Sequence, residues 1–117
     1  MPITVNEHRS GMVKKINFAY TALTTGSTSG STLNQYDGEV IRVVAKNTIL
    51  TAGTITLKDD DGNDILMGLG TLTSGTKYFE PTTGGALHLG GVSNSKITLS
   101  HIVDTTGGTG NVYVYIR

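Results

Sequence analysis

Two runs near the end of the chain alternate so regularly that they leave little choice of fold. In residues 95–103, Ile97, Leu99 and Val103 alternate with Lys96, Thr98 and Ser100; in residues 111–117, Val112, Val114 and Ile116 alternate with Tyr113, Tyr115 and Arg117. Successive side chains of a strand point to opposite faces, so each run offers one apolar face to a core. The link over residues 104–110 holds three glycines and Asp104, residue types that tolerate the positive φ angles of a tight reversal. The pattern predicts a β-hairpin whose second strand ends the sequence. A chain ending inside a sheet is expected to be a compact module that binds something, with no catalytic domain after it.

The same alternation recurs upstream. Residues 13–23 read as a strand with Ile16, Phe18 and Tyr20 on one face. Residues 39–46 are apolar on both faces, with Ile41, Val43 and Ala45 on one side and Val40 and Val44 on the other, as in a central or covered strand. Shorter runs follow at residues 54–58, 65–69, 76–80 and 84–91, and residues 24–32 form a Thr/Ser/Gly loop with no burying power. About eight strands at roughly 8–12-residue spacing predict an all-β domain, a β-sandwich or jelly roll, over residues 13–117. Residues 1–12 show neither periodicity and read as an N-terminal arm with a short extended piece at residues 3–5.

Composition narrows the chemistry. There is no cysteine, so a disulfide framework, a thiolate metal site and a cysteine nucleophile are excluded. The formal net charge is zero and no basic run exceeds Lys14-Lys15, so nucleic acid is not an expected partner. No apolar run is long enough to span a membrane, and the N-terminus lacks the apolar core of a signal peptide. The charged share is 15%, well below the roughly one quarter usual for a soluble domain, which suggests surface that other chains cover.

Sites for catalysis or metal binding are not expected. The acidic stretch Asp59, Asp60, Asp61, Asn63 and Asp64 sets its carboxylates side by side and lacks the alternate spacing of a calcium loop, so it reads as a solvated turn. His8, His88 and His101 have no metal-ligand spacing, and His101, on the inward phase, reads as a hydrogen-bonded, half-buried histidine or as a bulge. The Gly26-Ser-Thr-Ser-Gly30 stretch has Thr28 where a hydrolase elbow has its serine. Asp37, Glu39, Glu80 and Asp104 carry no second catalytic signal, and no phosphate-binding glycine motif or cofactor site appears. Tyr113 and Tyr115 face away from the apolar stripe. They suit either stacking on sugar rings or a protein interface, and the absence of tryptophan favours the interface.

The polar start, the Thr-, Gly- and Ser-rich all-β body and the ending Thr-Gly-Gly-Thr-Gly-Asn-Val-Tyr-Val-Tyr-Ile-Arg117 resemble small tailed-phage virion proteins, above all the capsid decoration or cement proteins. The resemblance implies a non-enzymatic homotrimer on the outer capsid surface of a virion, binding the major capsid protein and stabilising junctions between capsomers. In that setting Ile3, Val5, Arg9, Lys14 and Lys15 are the expected contacts of the arm with its partner. Val40, Val44, Tyr113 and Tyr115 are the expected subunit interface. The alternative is a carbohydrate- or host-receptor-binding head of a phage fibre.

Overall fold

In the computed structural model, residues 3–23, 26–48, 53–66, 68, 70–72, 74–79, 91–103 and 108–117 are described. Among them stand ten strands and no helix: β1 (Ile3–His8), β2 (Lys14–Leu23), β3 (Gly26–Ser31), β4 (Tyr36–Thr48), β5 (Gly53–Lys58), β6 (Thr71–Leu72), β7 (Gly75–Phe79), β8 (Gly91–Ser95), β9 (Thr98–Val103) and β10 (Gly108–Ile116). All pairings are antiparallel. The larger sheet runs β1-β2-β10-β4-β7, with β8 on the first part of β4; the smaller runs β3-β9-β5-β6. The two sheets close over one core, a β-sandwich as the alternation predicts. Phe18, Tyr20, Val112, Val114 and Phe79 come from the larger sheet, and Ile55, Leu57, Leu72 and Leu99 from the smaller.

The C-terminal runs do not form a hairpin. Strand β9 pairs with β3 and β5, and β10 pairs with β2 and β4, so the two lie in opposite sheets. Alternation fixes which face of each run is apolar, yet both sheets of a sandwich turn an apolar face to the same core. The link at 104–107, the run at 84–90, Met67, Leu69, Glu80 and His88 lie outside the described residues.

The expected arm is the edge strand of the larger sheet. Strand β1 pairs with β2 in unbroken register from Ile3↔Tyr20 to His8↔Lys15. Ile3 is 5% exposed and Val5 packs on the core. Glu7, next on the inward phase, stands where an edge strand profits from a charge that deters pairing with another chain. Its carboxylate accepts from Leu33 N (2.9 Å), Asn34 N (3.3 Å), Asn34 Nδ2 (3.1 Å) and the Tyr36 hydroxyl (2.7 Å). Burial alone would raise its pKa, but these donors together outweigh that and hold it below the usual carboxylate value.

The Thr/Ser/Gly stretch is likewise a strand. A Cβ at Gly30 would lie 2.7 Å from Ile3 Cγ2, so the missing side chain lets the edges of the two sheets close on Ile3. Ser31 and Thr98 share a hydroxyl hydrogen bond of 2.7 Å across β3 and β9, and buried Thr32 accepts from Ile97 N at 3.1 Å.

Strand β4 gains its two-sided character from a bulge. Its register against β10 runs Tyr115↔Arg42 and then Ile116↔Val40, which leaves Ile41 as an extra residue. The phase flips there, so Val40, Val43 and Ala45 all enter the core, and Val44 stands on the outer face.

His101 is fully buried, edge-on to Tyr20 at 4.8 Å between ring centroids. Neither ring nitrogen has a well-formed hydrogen-bond partner, unlike the half-buried, hydrogen-bonded histidine expected from the sequence. Burial pushes its pKa down to about 4, and the backbone of Ile102 offsets only part of that.

Two outcomes follow from this packing. Ile3→Ala should cost about 2–4 kcal/mol, and removing residues 2–11 should lower the urea midpoint further, because a paired, core-bearing strand is lost. An unchanged midpoint would show that β1 is not integral to the sheet. For His101, the unfolded chain takes up a proton near pH 6.5 and the folded one only near 4. Stability should therefore fall as pH drops through that window, by up to about 3 kcal/mol. Urea titrations from pH 7 to 4 should show this slope in the native protein and its loss in His101→Leu.

Candidate functional site

The bulge at Ile41 decides what the outer face of the larger sheet presents. Beyond it, Arg42, Val44, Lys46 and Thr48 alternate outward along β4. Register carries that face across the neighbours in rows. One row runs His8, Lys15, Tyr115, Arg42, and the next Asn6, Asn17, Tyr113, Val44, Tyr78. The third runs Thr4, Ala19, Asn111, Lys46, Thr76. Three tyrosines thus meet around Val44, which is 5% exposed although it faces away from the core.

Lys15, Arg42, Val44, Lys46, Tyr78, Tyr113 and Tyr115 line an open groove of about 360 Å³. Tyr78 is 60% exposed, whereas Tyr113 and Tyr115 are half-buried. Cations lie over their rings. The Arg42 guanidinium lies 4.6 Å from the Tyr115 centroid, and Lys15 and Lys46 lie 5.8 and 6.0 Å from that of Tyr113. Such contacts contribute about 0.5–1 kcal/mol each at exposed sites. Lys46 also borders a second groove of about 340 Å³ with Asn47, Thr48, Gly75, Thr76, Thr109, Gly110 and Asn111. Gly110 is required there: a Cβ would fall 2.1 Å from the Lys46 carbonyl oxygen. Beneath it Asn47 accepts from the Tyr20 hydroxyl and donates to the Gly75 carbonyl at 3.4 Å.

The residues expected to act together are separated by the fold. Val40 is wholly in the core and cannot lie between subunits. Val44, Tyr113 and Tyr115 do share one face. Of the five residues assigned to the arm, Ile3 and Val5 turn inward, Lys14 stands at the core-phase position opposite Ile116, and Arg9 lies over the Tyr36 ring at 5.8 Å. Only Lys15 reaches the tyrosine face. Tyr78, Arg42 and Lys46 escaped the sequence reading because β7 is short and its pairing with β4 is a long-range fact. The alternation of 76–80 with 42–46 was its only trace.

The acidic turn is built for its own backbone. Asp59 Oδ1 accepts from Asp61 N (3.0 Å) and Asn63 N (2.9 Å). The Asp64 carboxylate accepts from Leu57 N and Leu66 N, each at 3.1 Å, and from Gly68 N at 2.9 Å. Asp60 Oδ2 accepts from Lys96 N at 3.3 Å, joining the turn to the start of β9. Among the described residues, no three acidic or imidazole side chains converge as a metal site would need. Asp64→Ala should cost about 2 kcal/mol and Asp61→Ala less than about 0.5 kcal/mol, measured by urea unfolding. Equal costs would mean that the carboxylate bonds do not hold this turn.

No protein-family model and no curated protein matches the sequence. Solved structures of similar shape include the C-terminal CBM6 of LamC, a marine laminarinase from Zobellia galactanivorans, at 13% identity over 100% of this chain and 90% of that one, TM-score 0.45. A xylan-binding module, CBM86, from Roseburia intestinalis aligns at 12% identity over 98% and 86%, TM-score 0.43. TmCBM61, solved with β-1,4-galactotriose, aligns at 18% identity over 99% and 88%, TM-score 0.39. At these identities and TM-scores nothing about this chain is read from the likeness, and function has to be read from the face itself.

Proposed function

We propose that this chain is a non-catalytic carbohydrate-binding module and that the outer face of the larger sheet holds the ligand. The observation that carries the reading is the meeting of Tyr78, Tyr113 and Tyr115 around Val44 in one open groove. A pyranose ring has apolar C–H faces and a rim of hydroxyls. Phenol rings present π-faces to the former, and the neighbouring Asn111, Thr48 and Thr76 offer donors and acceptors to the latter. All but the exposed tips stand on paired strands, so little order has to be gained on binding. The face offers surface and polar groups and carries no carboxylate among its described residues, which suits holding a saccharide rather than cleaving it.

Of the two readings the sequence leaves open, this is the receptor-binding one; on a phage particle such a module would be the host-recognising head. Clamping a capsid as a trimer drew on apolar surface in excess of one core. Val40 is spent on the core and Val44 is already covered by its own chain.

Affinity gel electrophoresis against a panel of polysaccharides tests the reading. The native protein should be retarded by at least one of them. Tyr78→Ala and Tyr115→Ala should each weaken that binding about tenfold, 1.4 kcal/mol, and Tyr78→Ala should leave the melting temperature unchanged because its ring is largely exposed. Undiminished binding in both variants would move the site elsewhere. Retardation by no polysaccharide, together with cosedimentation on capsid shells, would return the clamp reading.

A further inference from the structure

Charge is unevenly spread over a molecule that sums to zero. Nine cations balance nine anions in the chain, yet the tyrosine face holds Lys15, Arg42 and Lys46 and no described acid. The described acids are engaged elsewhere or point elsewhere. Glu7 is bound to Leu33, Asn34 and Tyr36, and Asp37 accepts from Asn94 N at 2.5 Å. Glu39 lies 3.9 Å from Arg117, and Asp59, Asp60 and Asp64 serve the turn. Among the described residues none of the three face cations is in an ion pair. Each is instead placed over a tyrosine ring.

We infer that the ligand of this face is an anionic saccharide, a glycan bearing carboxylate or sulfate groups; this rests on the carbohydrate reading above and adds the charge of the ligand to it. Lys15 on β2 and Lys46 on β4 flank Tyr113 from opposite sides, and Arg42 lies one row along over Tyr115. A sugar stacked on Tyr113 would therefore have a cation on the β2 side and another on the β4 side. Arg42 and Lys46 are four residues apart on one strand, on the order of 13 Å, a separation that suits charges on different sugar units. The planar guanidinium matches a carboxylate or sulfate with two parallel hydrogen bonds, and the ammonium groups act as point charges. Three cations with no described acid beside them raise the local potential of this face and draw anions to it. A neutral glycan would leave that potential unanswered.

The test uses the intact chain and a panel of uronate-bearing and sulfated polysaccharides, each paired with its carboxyl-reduced or desulfated counterpart. Single-stranded DNA and the variants Arg42→Gln, Lys46→Gln and Lys58→Gln complete it. Lys58 is an exposed cation on β5, in the other sheet. Binding should be confined to anionic members, fall about tenfold as salt is raised to several hundred millimolar, and weaken several-fold in Arg42→Gln and Lys46→Gln, with the melting temperature lowered by no more than about 5 °C. Lys58→Gln should bind as the native protein does. Equal binding of a neutral counterpart overturns the charge inference and leaves the carbohydrate reading standing. Equal weakening by Lys58→Gln overturns it too, since attraction would then be general. Binding of DNA alone, or of nothing, overturns both.

Discussion

The pairing of β10 with β4, and the one extra residue within it, is the constraint on which the other features depend. Strand β10 lies between β2 and β4 in the middle of the larger sheet, and β4 carries both β7 and β8 on its far side. A regular β4 would have put Val40 and Val44 on one face and Ile41, Val43 and Ala45 on the other. The bulge at Ile41 transfers Val40 to the core side while Val43 and Ala45 stay there. The core thereby takes Val40 in place of Ile41, which is left half-buried at the bulge. Beyond the bulge the outer face of β4 keeps Val44, bordered by tyrosines. Packing and surface chemistry are set by the same register shift.

The edges of the sandwich are closed by quite different means. On the β1 side, a strand with only Ile3 and Val5 to bury is held by hydrogen bonds that Glu7 accepts from the segment linking the two sheets and from Tyr36 at the start of β4. The facing strand β3 contributes little apolar area. Its role is to come close: Gly30 admits Ile3, Ser31 bonds Thr98 across the strands, and Thr32 accepts from the Ile97 N–H, which would otherwise be orphaned in the core. At the other end Gly70 approaches the Ile55 carbonyl, where a Cβ would lie 2.0 Å away, and β6 joins β5 there over two residues. Small residues bring the backbones together, and hydrogen bonds replace the missing hydrophobic area.

This explains which parts were legible in the sequence. Strands β2, β4, β5, β9 and β10 announce themselves because an apolar side chain recurs at every second position. Strand β3 does not, since Gly-Ser-Thr-Ser-Gly-Ser has no apolar phase and its strand state is imposed by neighbours. Strand β1 reads as an arm because only Ile3 and Val5 alternate before Glu7 breaks the pattern, and the value of Glu7 lies in donors 26 to 29 residues away. The hairpin expectation failed for a related reason: turn residues show that the chain reverses and say nothing of which sheet receives it. The candidate site was legible only in pieces. Val44, Tyr113 and Tyr115 read together as a subunit interface, whereas Lys15 reads as a contact of the arm. Tyr78, Arg42 and Lys46 join them only through cross-strand register.

The placement of cations over the tyrosines bears on how such a face stays free in solution. An aromatic outer face on a flat sheet is prone to stack on a second copy of itself. Net charge cannot oppose this here, because the chain as a whole is neutral. A two-fold or three-fold contact made through this face would bring together every copy's Lys15, Arg42 and Lys46, with no described acid on the face to offset them. Self-association through the tyrosines is thus opposed by local charge, while a ligand of opposite sign meets no such barrier. The feature that argues against Tyr113 and Tyr115 as a subunit interface is the same one that, on the reading proposed above, would give the face its selectivity. Stacking supplies contact area, and the cations decide which partner is allowed to use it.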